Sequence, residues 1–106
     1  MNPGPQSAFR ALADPTRRSI LMLLSSEDMS IGEVASRFDV SRSAIQKPLA
    51  ILQEGELISV RTEGRERINH LEPDTLRAVS DWLAYFDAYW DHRLADLKRA
   101  IENDKD

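Results

Sequence analysis

The chain has 106 residues, 42% hydrophobic and 30% charged, with a net charge of −4 and no cysteine. That length holds one domain with a modest core, and the lack of thiols excludes disulfides, thiolate metal sites and a cysteine nucleophile. No apolar run approaches the roughly 20 residues of a membrane span, and the opening MNPGPQS has no basic patch followed by an apolar stretch; a cytoplasmic protein without a membrane partner is expected.

The first predicted element is a short helix over residues 7–13, SAFRALA. Asp14-Pro15 restarts the chain, because Asp14 suits an N-cap and Pro15 suits the first helical position, where its missing N–H is not needed. The helix predicted over 15–25 buries Ile20, Leu21, Leu23 and Leu24 and carries Arg17 and Arg18 in its first turn. Ser30-Ile31-Gly32-Glu33 reads as a capping box. It opens a helix over 31–38, with Ile31, Val34, Ala35 and Phe38 at helical spacing. Asp39-Val40 makes a short turn into Ser41, which caps a further helix that Gly55 is placed to end. That helix presents Ile45, Leu49 and Leu52 on one side. Its first turns present Arg42, Ser43, Gln46 and Lys47 on the other.

Pro48 lies inside this helix. A proline there removes a backbone donor and sets its ring against the carbonyl four residues back, at a cost of about 3 kcal/mol or more. Two geometries are open: a kink between Ala44 and Pro48, or a break near Lys47 with a restart that gives Pro48 an N1-like position. Two roles are open as well: an adjustment of how residues 42–47 are presented, or a tolerated defect without function.

Over residues 57–71, Ile58, Val60 and Thr62 alternate with Leu57, Ser59 and Arg61, and Glu63-Gly64 is a turn signal. Arg65, Arg67 and Asn69 then share one strand face, which predicts a two-stranded hairpin with a basic tip. From Pro73 to about Ile101 the pattern predicts one long helix, with Leu76, Val79, Leu83, Phe86, Trp90, Leu94, Leu97 and Ile101 spaced by three or four. Its apolar arc covers roughly half the circumference, more than a small domain can bury alone. A partner helix is therefore expected, with Leu83, Phe86, Trp90, Leu94 and Leu97 at the interface. Residues 102–106 are expected to fray.

The fold class that follows is mainly α with a small β-hairpin: a single winged helix-turn-helix domain with a helical core and wing over 7–71 and a long C-terminal dimerisation helix over 73–101. In such a layout the second helix of the pair enters the major groove, and the wing arginines reach phosphates or the minor groove. The net acidity does not exclude this. Residues 71–106 carry five basic and nine acidic side chains, whereas residues 41–70 carry five basic and four acidic.

ALADPTRRSILMLL, MSIGEVASRFDVSRSAIQKPLAILQEGELI and VRTEGRERINHL together resemble the ArsR/SmtB family of winged-helix repressors, over roughly residues 8–101. The resemblance implies a homodimer that binds inverted repeats in double-stranded DNA, and it matches the last helix to the family's dimerisation helix. Two departures stand out. Metal-sensing members carry cysteines where this chain has Met29-Ser30-Ile31-Gly32-Glu33, or an aspartate and histidines on the last helix where this chain has only His92. Many relatives also have a histidine at the position of Pro48.

Arg42, Ser43, Gln46 and Lys47 are therefore the candidate DNA-reading residues, and Arg61, Arg65 and Arg67 the wing candidates. Gln46 suits adenine and Arg42 suits guanine or phosphate. Glu63 and Glu66 dilute the wing patch, and Arg17 and Arg18 read as structural or solvated. His70 and His92 stand alone; His92–Asp96 reads as a surface pair, and neither a metal nor a cofactor is expected. Trp82, Tyr85, Phe86, Tyr89 and Trp90 read as dimer core, with a small-molecule pocket as the other option. No nucleophile–base pair or phosphate-cradling loop supports an enzyme. The leading reading is a repressor whose effector is unknown. The alternative is a protein–protein adaptor that keeps the dimer but has little DNA affinity.

Overall fold

The computed structural model describes residues 4–103. Its elements are α1 (Gln6–Leu12), α2 (Pro15–Ser26), β1 (Met29–Ser30), α3 (Ile31–Phe38), α4 (Arg42–Glu54), β2 (Ile58–Glu63), β3 (Glu66–Leu71), α5 (Pro73–Ala84) and α6 (Asp87–Asn103). The caps act where the sequence places them. The Asp14 carboxylate accepts the Arg17 N–H at 3.1 Å. Ser30 and Glu33 form the reciprocal capping box, with both bonds at 3.2 Å, and the Ser41 hydroxyl accepts the Ala44 N–H at 3.3 Å. Each satisfies a backbone donor left over at a helix start.

Two helices end in Schellman motifs on non-glycine residues. At the end of α3 the left-handed residue is Asp39, with φ 55°, and Val40 N–H reaches back to Ala35 O at 3.1 Å. At the end of α4 it is Glu56, with φ 60°, and Leu57 N–H reaches Leu52 O at 3.0 Å. Gly55, expected to end the helix, is its C-cap, right-handed at φ −76°. Its service is close approach: a Cβ there would lie 2.9 Å from Ser7 O and 3.2 Å from the Ala11 Cβ. α1 and α4 pack tightly at that point.

The sheet has three strands in the order β1-β3-β2, one more than the predicted hairpin. Met29 pairs with Asn69 and Ser30 with Ile68. A two-residue strand is invisible to an alternation pattern, because two residues define no period. β2 and β3 close on Glu63↔Glu66 around Gly64-Arg65, with Gly64 at φ 61°, as a type II′ turn requires at its first central position.

The core gathers Ala8, Ala11, Ile20, Leu21, Leu24, Met29, Val34, Ala35, Ile45, Leu49, Leu52, Leu57 and Ile58, with Leu23, Ile31 and Phe38 partly buried against it. Leu23, expected inside, is thus only half-buried. It sits at the edge of the α2 apolar stripe.

The C-terminal segment is helical from Pro73 to Asn103 except for a tightened turn at Tyr85–Phe86. Tyr85 N–H bonds to Trp82 O at 3.2 Å and Phe86 N–H to Leu83 O at 3.0 Å, the spacing of a 3₁₀ turn. Neither proline nor glycine marks it. The turn instead carries edge-to-face ring contacts, Trp82–Phe86 and Tyr85–Phe86, each with centroids 5.2 Å apart, and Phe9 on α1 meets Trp82 at the same distance. α5 thus leans on the body and α6 leaves it. Glu102 and Asn103 belong to α6; the rest of the expected frayed tail, 104–106, lies outside the described residues.

Candidate nucleic-acid interface

α3 and α4 form the helix–turn–helix, and the capping hydroxyl of Ser41 starts α4 at the surface. Ile45, Leu49 and Leu52 point into the core, which turns Arg42, Ser43, Gln46 and Lys47 outward, all of them exposed. Among the described residues, neither Arg42 nor Lys47 has a salt-bridge partner. Ser43 Oγ lies 3.0 Å from Ser41 Oγ. The Arg42 guanidinium folds back over Gly32 at the first turn of α3, where a Cβ would come within 2.8 Å of Nη2. Gly32 therefore leaves the space in which Arg42 rests.

α4 runs unbroken from Arg42 to Glu54 through Pro48, so the break and restart near Lys47 is not what the chain does. Pro48 has no N–H for the Ala44 carbonyl. Ala44 is exposed, so solvent can take the missing donor's place. The deprived carbonyl thus belongs to an exposed residue of the helix, where a missing donor costs least.

The wing arginines divide between its two faces. Arg67, with Val60 and Asn69, faces α4 across an open cleft of about 270 Å³ whose far wall is Gln46, Leu49, Ala50 and Gln53. Arg65 is exposed in the turn. Neither Arg65 nor Arg67 is ion-paired among the described residues. Arg61 lies on the opposite face and is committed. It donates from Nη1 to Asp28 Oδ2 at 2.6 Å and from Nε to Glu63 Oε1 at 2.9 Å. Asp28 also meets His70 Nδ1 at 2.8 Å. The hydrogen bond from Arg61, then that from His70, holds the Asp28 carboxyl below the usual aspartate value. The same bond to Asp28, followed by that to Glu63, raises Arg61 above the usual arginine value. The structure therefore brings Gln46 and Arg67 to one cleft, leaves Arg42, Ser43, Lys47 and Arg65 exposed, and sets Arg61 on the other face of the wing. Asn69, grouped with Arg67 by alternation, is buried, its Nδ2 donating to Met29 O at 3.1 Å.

Arg17 and Arg18 close the C-terminus of α1. Arg17 donates to Ala11 O at 2.7 Å and Arg10 O at 3.0 Å, and Arg18 to Leu12 O at 2.7 Å. All three carbonyls lie in the last turn of α1, where Ala13 N–H also reaches Arg10 O at 3.3 Å, so both arginines serve the fold. Sequence reasoning missed Asp28. Its role depends on β1, which carries no periodic signal. On α6, Asp96 pairs with Arg99 rather than with His92. Among the described residues no three histidines or carboxylates gather as a metal site would require.

The expected interface residues form one exposed stripe along the C-terminal helices. Leu83, Trp90, Leu94 and Leu97 are 55%, 61%, 63% and 57% exposed, and Tyr89 and Ile101 extend the stripe. Phe86 is half-buried in the aromatic turn. No residue of α6 is buried by the rest of the chain.

Comparison with known proteins agrees with this layout. A helix-turn-helix domain family matches residues 12–61. The chain is 33% identical to the HTH-type transcriptional regulator Rv2034 of Mycobacterium tuberculosis over 96% of its length and 92% of that protein's. It is 36% identical to the transcriptional repressor SdpR of Bacillus subtilis over 76% of its length and 89% of SdpR's. Among solved structures, an ArsR-like transcriptional regulator from Rhodococcus sp. RHA1 superposes with a TM-score of 0.72 at 38% identity, covering 89% of each chain. Sequence and fold agree: this chain belongs to the ArsR/SmtB family of winged helix-turn-helix transcriptional regulators.

Proposed function

We propose that the protein is a homodimeric repressor that reads an inverted repeat with the first turns of α4 and the α4-facing side of the wing. The observation that carries this reading is the exposed polar face of α4, Arg42, Ser43, Gln46 and Lys47, with Arg67 across the cleft from Gln46; among the described residues neither these cations nor Arg65 is ion-paired. Gln46 is suited to an adenine edge, Arg42 to guanine or phosphate, and Lys47, Arg65 and Arg67 to phosphates. Two recognition helices in successive major grooves need half-sites about one helical turn apart, or a multiple of that. The naked stripe on α6 supports the dimer that sets this spacing. Repression is then steric, through occupation of a promoter, and the name of the relative SdpR supports that sign.

The test is fluorescence anisotropy on DNA from upstream of the gene, at two salt concentrations and with scrambled competitor. Tight, competitor-resistant binding that weakens steeply with salt is expected, because phosphate contacts release counterions. Binding no better than to scrambled DNA, followed by a random-sequence selection that enriches nothing, would leave the adaptor reading in its place. A reporter behind the bound promoter gives the sign; higher output on deletion is the repressor outcome.

A further inference from the structure

We propose that Asp28 is a positioning residue for DNA binding: its carboxylate, at the mouth of β1, holds the wing at a set angle to the recognition helix by gripping Arg61 on β2 and His70 on β3. The inference rests on the DNA-reading assignment above and deepens it.

The sheet order is β1-β3-β2, so Arg61 must cross β3 to reach Asp28. Neighbouring strands lie about 4.8 Å apart, so only a long side chain on β2 can span the pair. Asp28 continues the register that pairs Met29 with Asn69, which sets it opposite His70. One carboxylate thus ties all three strands together on the face turned away from α4. The need is visible in the ladder. β1 pairs with β3 only at Asn69 and Ile68, so the hairpin beyond them, including Arg65 and Arg67, has no third strand to steady it. A two-stranded hairpin is marginal alone. Of the other charges near this face, Glu66 stands opposite Glu63 with no ion-pair partner among the described residues, and the rest are engaged. Glu63 takes the second edge of Arg61, Glu72 accepts from Ser59 at 2.6 Å, Glu27 pairs with Arg37, and Glu33 belongs to the capping box.

A plain charge argument predicts the opposite of this proposal. If Asp28 only sequestered a cation, removing its charge would free Arg61 for phosphate and tighten DNA binding. If Asp28 positions the wing, the same change lets Arg65 and Arg67 wander and weakens binding. The experiment is Asp28→Asn in the full chain, with anisotropy on operator DNA and sedimentation to confirm the dimer. Affinity is expected to fall about fivefold to twentyfold. Arg61→Gln should give a similar loss, the double variant no more than either single one, since residues of one contact couple rather than add, and Asp28→Glu should recover part of it. Unchanged or tighter binding by Asp28→Asn, or additive losses in the double variant, would overturn the proposal. Should Asp28→Asn not fold, Arg61→Gln breaks the same contact from the other side, and a loss of its salt slope by about one phosphate with sequence preference intact would mark Arg61 as a direct contact instead. Failure of the wild-type protein to bind DNA is a separate result that strikes the functional reading itself.

Discussion

The body of the molecule and its C-terminal arm are built on opposite terms. Residues 6–71 hold every buried hydrophobic side chain among the described residues; α2, α3 and α4 start on side-chain caps and their sheet is tied across. α6 has seventeen residues and none is buried, though it carries Tyr89, Trp90, Leu94, Leu97 and Ile101 along one side. A body that spends its sequence on completing itself stands beside an arm that leaves its apolar face open. Burying a large apolar side chain is worth roughly 1.5–3 kcal/mol, so an open stripe of this length marks an unfinished structure. The difference teaches where a partner would be needed: the body has its core, and the open stripe is what the proposed dimer would cover.

The sharpest way to break that contrast is Leu94→Glu. The substitution puts a charge in the middle of the open stripe and touches no part of the body. Monomers are expected in sedimentation, with the thermal transition of the body retained. Operator affinity should fall by about 100-fold or more, since two linked half-site readers gain at least that over one. An unchanged dimer would move the interface off α6. Next in size is Arg42→Ala with Lys47→Ala, directed at the opposite end of the molecule. Here the dimer should persist while affinity drops about tenfold to hundredfold. If both side chains touch phosphate, the salt dependence should flatten by nearly two ion equivalents. Retained affinity would mean that α4 is not the helix in the groove.

How much of this was legible in the sequence follows the same division. The caps at Asp14, Ser30 and Ser41, the helical stripes and the alternation of 57–71 are local signals that place their elements, except that the stripe predicting one helix from Pro73 to about Ile101 spans two, α5 and α6. The features that needed coordinates are the ones made by distant pairs. β1 exists only because β3 pairs with it. Gly55 is required by the approach of α1, forty-four residues upstream at Ala11, rather than by its own backbone angle. Arg61 looks like Arg67 in the sequence, two basic residues in one hairpin, yet the strand register sends them to opposite faces. The turn at Tyr85–Phe86 has no breaker residue and coincides with ring contacts that no periodicity encodes. Candidate residues for DNA could be read as chemical types at the right spacing; which of them are unpaired could not.

Pro48 gives a smaller effect with an unusual sign. The helix passes through it without stopping, so Pro48→Ala restores one backbone hydrogen bond and removes a ring clash. Stability should rise by about 1–3 kcal/mol, seen as a higher denaturant midpoint. Pro48→His, the residue many relatives carry, then asks whether the defect matters to recognition. A changed base preference in a selection would make Pro48 an adjuster of the 42–47 turn. An unchanged preference would leave it a tolerated kink in α4.

The smallest effect concerns the Asp28 contact in acid. A carboxyl whose folded value lies below its ordinary 3.8 binds its proton later in the native state than in the unfolded one. Its contribution to stability is therefore fully present above that ordinary value and is lost as pH falls through the lower, folded one. The gap in denaturant midpoint between wild type and Asp28→Asn should then hold from pH 5 down to about pH 4 and close below it, as protonation turns the wild-type carboxylate into a neutral group much like the amide. The pair is partly exposed, with the Arg61 side chain at 47%, so solvent screening keeps the gap small. A gap that survives undiminished well below pH 3 would show that Asp28 acts through its shape at the mouth of β1 and not through its charge.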